Sequence, residues 1–119
     1  MQLSKIVSKL DQEFDVKEVN DDWHWLFDDL FLKKSLASFR KSGKTTGLMI
    51  KNSEEVNKIY TAFSPSRFVL EEIIIRGIVN TLLVVKHPFD WDGRRNGPGF
   101  LSFKERDYQL MESMGISIY

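Results

Sequence analysis

Polar side chains that could bind a ligand or take part in catalysis follow a buried apolar run in the second half of the chain. The run Thr81–Val85 ends at Lys86 and His87, and Pro88 restricts the backbone of His87 to an extended conformation. A neutral imidazole carries one lone pair and one N–H, so His87 can serve as a metal ligand, a general base or a hydrogen-bond donor. A structural or surface histidine fits this position as well, and Lys86 is either an anion anchor, a base or a solvated strand terminator.

Two acidic and two basic side chains follow in a glycine-rich stretch. Asp90 and Asp92 could complete an oxygen and nitrogen site for a divalent metal around His87, or they could be solvated acids of an Asp-Gly turn. Arg94 and Arg95 could receive a phosphate or a carboxylate, or they could belong to a plain surface loop. The stretch has neither the Walker spacing nor the dinucleotide-binding fingerprint.

Composition excludes several classes of site. The chain has no cysteine, which removes disulfide frameworks, thiolate zinc sites and cysteine nucleophiles, and which fits a reducing, cytoplasmic location. Seventeen basic residues balance seventeen acidic ones, so no global field attracts nucleic acid or anionic lipid. The sequence contains no secretory signal and no run long enough to cross a bilayer. We therefore expect neither nucleic acid nor a membrane as a partner.

The length and pattern of the chain predict how these side chains are positioned. With 119 residues, of which 42% are hydrophobic, we expect a single α/β domain over 1–119. An amphipathic helix over 3–14 should lie on a sheet face, and an irregular aromatic segment covers 15–45. A β-β-α-β-α-β core over 47–119 completes a layered domain with a mostly parallel sheet flanked by helices.

The predicted core begins with two strand candidates, Gly47 to Ile50 and Val56 to Phe63, which could pair as neighbours. Ser64-Pro65-Ser66 supplies a turn and a cap for a helix that Gly77 closes. The strand Thr81–Val85 then completes a parallel, right-handed crossover.

The last part of the core repeats this order. Ser102 and Glu105 have the spacing of a capping box for a helix through Met114, and Gly115 ends that helix. A strand over 116–119 follows. Because its carboxyl end should face the same edge as Lys86 and His87, we expect the chain to be cut off at its functional edge.

Trp23-His24-Trp25 lies in the aromatic segment. Two tryptophans around a polar residue can stack on a ligand, but packing or a subunit contact explains them as well. We expect a homo-oligomer that associates through an apolar surface around Trp23, Trp25 and Phe31, and a small-molecule substrate that the sequence does not specify.

The order of the core elements resembles the amino-terminal portion of the NGG-interacting-factor-three-like proteins, also called dinuclear-metal-centre or type-two GTP cyclohydrolase-like proteins. The resemblance covers residues 46 to 119, and the histidine-proline pair at the strand exit is its most specific motif. The residues that carry it are Gly47-Leu48-Met49-Ile50, Ile59-Tyr60-Thr61-Ala62-Phe63, Gly77, Leu82-Leu83-Val84-Val85-Lys86-His87-Pro88 and Gly115-Ile116-Ser117-Ile118-Tyr119.

The resemblance implies an α/β fold, a ring-like oligomer and a site for two divalent metals of the zinc, iron, manganese or magnesium class. In the family two consecutive histidines precede the proline, so His87 takes the place of the second ligand and Lys86 the place of the first. An ammonium group cannot coordinate a cation. The remaining family ligands would lie beyond Tyr119.

We therefore expect a divergent or truncated family member without a complete metal site in this chain, acting as a fold, assembly or anion-binding module. The alternative is a metal-dependent hydrolase-type protein when full length.

Overall fold

The computed structural model describes residues 1–19, 46–86 and 103–119. Its helices are α1 (Leu3–Glu13), α2 (Arg67–Ile75) and α3 (Glu105–Ser113). Its strands are β1 (Lys58–Ala62), β2 (Thr81–Val85) and β3 (Ser117–Ile118). The strands form one parallel sheet in the order β1-β2-β3. The predicted α/β class with a parallel sheet between helices is confirmed.

The central strand β2 has the bounds that its apolar run predicts. Leu82 and Leu83 are both buried although they point to opposite faces of the sheet. Leu83 belongs to one hydrophobic cluster and Leu82 to a second. A continuous apolar run is therefore explained by a strand that is covered on both sides.

Helices α2 and α3 cover one face of the sheet. Leu70 of α2 and Met111 of α3 share a buried cluster with Leu83 and Ile118 of the strands. Phe103, just before α3, packs its ring edge-on against Tyr108 at a centroid distance of 5.7 Å. Burial of these apolar side chains is the main force that holds the two helices on the sheet.

Helix α1 lies on the opposite face, as its apolar stripe predicts. Leu3 is buried in a cluster with Leu82 and Tyr119, and three further apolar side chains of α1 pack against that cluster: Ile6, Val7 and Leu10. The start of the helix is held by backbone hydrogen bonds, since Leu3 N donates to Glu54 O at 2.8 Å and Val56 N donates to Met1 O at 2.7 Å.

Two predictions about the first strand candidates need correction. The segment Gly47 to Ile50 does not pair with β1. Instead, Ile50 forms an isolated antiparallel bridge with Ile118, on the side of β3 away from β2. The predicted strand from Val56 to Phe63 is shorter than expected, because Val56 pairs with the amino terminus and β1 covers only Lys58–Ala62.

The ends of the helices follow local sequence signals at three of four predicted positions. Ser66 caps α2 by accepting a hydrogen bond from Val69 N, and Gly77 and Gly115 follow α2 and α3 with φ angles of 65° and 66°. The predicted start of α3 is wrong. Its N-cap is Lys104, whose N–H donates to the Asp107 carboxylate at 2.8 Å, one turn further on. Ser102 lies outside the described residues.

Candidate functional site

The carboxyl ends of the three strands meet at one edge of the sheet because the strands are parallel. Backbone hydrogen bonds fix this edge, since Lys86 N donates to Ala62 O at 3.3 Å and Val85 N donates to Tyr119 O at 2.9 Å. Lys86 therefore leaves the sheet between the ends of β1 and β3. In parallel sheets ligands bind at this edge, where side chains leave the packed core.

A cavity of about 500 Å³ lies at this edge. The end of α1, the segment before Ile50 and all three strand ends contribute to its wall. Its lining includes Phe14, Met49, Thr61, Val84, Lys86 and Tyr119. Most of the wall is apolar, and Lys86 is the one charged side chain among the described residues that line it.

Lys86 is exposed, and its ammonium nitrogen lies 5.9 Å from the centroid of the Phe63 ring. This distance is within the range of a cation–π interaction. Phe63 is itself 63% exposed, so the pair lies at the protein surface rather than in the core. The arrangement holds a positive charge beside apolar walls while leaving its donors accessible.

Tyr119 forms the floor of the same region and is only 6% exposed. Its phenol donates a hydrogen bond of 2.8 Å to the Asp11 carboxylate, and its ring lies 6.4 Å from that of Phe14. Burial of the phenol, followed by the hydrogen bond and the negative charge of Asp11, raises the pKa of Tyr119 far above its ordinary value. The phenol therefore stays neutral at physiological pH and is unsuited to act as a base.

Asp11 is held in place by helix α1. Its side chain is half-buried, one turn after Val7 and one turn before Phe14 on the side of the helix that meets the sheet. The sequence alone indicates no functional role for Asp11 or Tyr119. The signal for Asp11 is its spacing of four residues from Val7, which places a carboxylate at the border of the apolar stripe.

Of the predicted site residues, the structure places Lys86 at the sheet edge as expected. His87, Asp90, Asp92, Arg94 and Arg95 lie outside the described residues, and so does the Trp23-His24-Trp25 motif. Within the ranges 1–19, 46–86 and 103–119, no three acidic or histidine side chains come together in a group that could hold a metal. No helix in these ranges is long and apolar enough to span a membrane.

The fold and the site can be set beside known proteins at this point. No family model, curated protein or solved structure matches this chain.

Proposed function

We propose that this chain is a binding module that receives an anionic group at the carboxyl edge of its parallel sheet, with Lys86 as the anchor. The observation that supports the proposal is the position of Lys86. Its exposed ammonium stands at the exit of the central strand, beside a cavity whose other described side chains carry no charge at neutral pH.

The surroundings of Lys86 favour an anion over a cation. An ammonium group offers three hydrogen-bond donors and no acceptor, which suits a carboxylate or a phosphate. Because Lys86 is exposed, an ion pair formed here has the modest strength of a surface pair, and the apolar wall beside it is what distinguishes this position from open surface. Because the Tyr119 phenol stays protonated, it adds no opposing negative charge.

The proposal extends to the metal site that the family resemblance implies. Lys86 stands where the family has its first histidine ligand, and an ammonium group has no lone pair to offer a metal. We propose that the chain is a divergent member whose anchoring cation replaces part of an ancestral metal site. Arg94 and Arg95 stay predicted contributors to anion binding.

A metal-dependent, hydrolase-like function of a longer protein is the second candidate. It is favoured by His87-Pro88, which directly follows the confirmed central strand and its exposed Lys86. In that case His87 would be a metal ligand, with Asp90 or Asp92 as further ligands. The two candidates differ in whether removal of His87 lowers the metal content of the protein.

Anion binding can be tested with the 119-residue chain by titrating acetate and inorganic phosphate into isotope-labelled protein. We expect the amide signals of Ala62, Val85 and Lys86 to shift in a saturable way, and the shifts to be lost in Lys86→Gln. Lys58→Gln is the matched control. The Lys58 ammonium also lies 5.9 Å from an aromatic centroid, that of Tyr60, but at the amino end of β1.

Retained binding in Lys86→Gln, or equal loss in both lysine variants, would contradict the proposed anchor. The matched control separates a specific site from the general effect of removing one positive charge.

A further inference from the structure

Resting on the anion-binding role proposed above, we propose that the cavity at the sheet edge takes a small aromatic monocarboxylate, a flat ring with one carboxylate at its end. Lys86 would bind the carboxylate, and the apolar wall beside Phe14 and Tyr119 would receive the ring.

The size and lining of the cavity fit a small organic ligand. Cavities that bind such ligands have volumes of about 300 to 1,000 Å³ and mostly apolar walls with a few polar groups. The cavity here has a volume of about 500 Å³, and Met49, Ala62, Val84 and Val85 contribute apolar wall. An inorganic anion alone would leave most of this surface in contact with water.

Two aromatic rings favour a flat apolar group. Phe14 is 53% exposed although its ring approaches that of buried Tyr119 at 6.4 Å with an angle of 36°. Both rings line the cavity, and Phe14 is the exposed one of the two. The ring of a ligand could pack against Phe14, since offset and tilted aromatic pairs contribute more than their buried area alone.

The positive charge of Lys86 favours a carboxylate at the other end of the ligand. Among the described side chains that line the cavity, Lys86 supplies one positive charge, and Thr61 adds a hydroxyl. Asp11 accepts the hydrogen bond of the Tyr119 phenol, but its side chain lines a separate cavity along α1. One ammonium beside the uncharged hydroxyls of Thr46, Thr61 and Tyr119 matches a monoanionic carboxylate, and the Lys86 charge disfavours aromatic amines.

Three probes separate the ring from the charge: 2-naphthoate, the neutral 2-naphthylmethanol and acetate. Their affinities are measured by calorimetry on the 119-residue chain, with the methyl signals of Met49, Val84 and Val85 reporting the location. We expect 2-naphthoate to bind at least about tenfold more tightly than acetate, because only the former buries a ring. We expect 2-naphthylmethanol to bind more weakly than 2-naphthoate.

Two variants assign each part of the ligand to a residue. Lys86→Gln should weaken 2-naphthoate about two- to fivefold and leave 2-naphthylmethanol unchanged, whereas Lys58→Gln should change neither. Phe14→Leu should weaken 2-naphthoate and leave acetate unchanged. Since Phe14 is 53% exposed, this variant should keep the native pattern of amide signals.

The outcomes distinguish the two proposals. If acetate binding depends on Lys86 but 2-naphthoate binds no more tightly than acetate, the inferred ligand class is wrong and the anion-binding role stands. If neither carboxylate depends on Lys86, both are wrong. Methyl shifts outside the cavity, or 2-naphthoate binding that is unchanged in a folded Phe14→Leu, would also overturn the inference. Should Phe14→Leu fail to fold, the three probes on the unaltered protein still decide.

Discussion

The phenol of Tyr119 donates a hydrogen bond of 2.8 Å to the carboxylate of Asp11, across a sequence separation of 108 residues. This bond ties the end of β3 to helix α1 at the rim of the cavity. Asp11 is half-buried and Tyr119 is buried, so both polar groups depend on each other for a partner away from bulk water.

Removing this bond should destabilise the protein measurably. In Tyr119→Phe the ring is kept but Asp11 loses its donor, so we expect the free energy of unfolding to fall by about 1 to 2 kcal/mol. Urea unfolding followed by circular dichroism gives this value. Tyr60→Phe is the control, because it removes a phenol oxygen from a partly buried tyrosine of β1. Equal losses in the two variants would contradict a special role for the bond.

The raised pKa of Tyr119 predicts a stability change in alkaline solution. The folded protein holds the phenolic proton more tightly than the unfolded chain, so the stabilisation is complete below about pH 10, the ordinary tyrosine pKa, and decreases above it. Above pH 10 the free energy of unfolding should therefore fall more steeply in the unaltered protein than in Tyr119→Phe, so the difference between the two proteins should narrow. Urea midpoints from pH 8 to pH 11 test this, and a constant difference between the two proteins would contradict it.

Two glycines with nearly equal backbone angles provide a matched test of packing. Gly115 and Gly77 have φ angles of 66° and 65°, but an added Cβ would collide with Asn80 at Gly115 and meet nothing within 4 Å at Gly77. We expect Gly77→Ala to lower the free energy of unfolding by about 1 kcal/mol through backbone strain alone. Gly115→Ala should lower it by about 2 to 4 kcal/mol, because steric overlap is added.

Denaturant unfolding of both variants measures this difference. Similar losses would mean that Asn80 can move away from residue 115 without penalty. A larger loss for Gly77→Ala would contradict the observed open space around that position.

The metal content of two variants tests the ancestral-site proposal. We expect the chain and His87→Ala to bind equally little zinc after dialysis, because a lysine beside the histidine repels the ion. Lys86→His restores two consecutive histidines before Pro88 and should increase zinc binding. Mass spectrometry of the metal content measures all three. A full equivalent of zinc that is lost in His87→Ala would instead support the metal-dependent candidate.

The sequence predicted the elements whose signals are local. The bounds of β2 followed from a short apolar run, and the Ser66 cap and the two glycines after the helices followed from rules that involve only neighbouring residues. The predicted start of α3 was wrong because two acidic residues could each complete a capping box. Glu105 lies three residues after Ser102, and Asp107 lies three residues after Lys104. The structure uses the second pair.

Partners that are distant in the sequence were not predictable in the same way. The pairing of Ile50 with Ile118, rather than with β1, depends on which sheet edge is free after the domain has packed. The Asp11–Tyr119 hydrogen bond likewise joins a charged residue of α1 to the end of a strand 108 residues later, and no rule about neighbouring residues selects that pair. The location of Lys86 at the sheet edge was predictable because the end of a buried apolar run is itself a local signal.

The contacts of residues 116–119 have a consequence for synthesis of the protein. Ile118 bridges Ile50, Tyr119 N donates to Leu83 O, and the Tyr119 phenol reaches Asp11. A nascent chain can form α2 early, since this helix needs only nearby residues, but the Ile50 bridge and the Asp11 hydrogen bond can form only after residues 116–119 have been made. The outer edge of the sheet and its tie to α1 are therefore completed after α2 has formed.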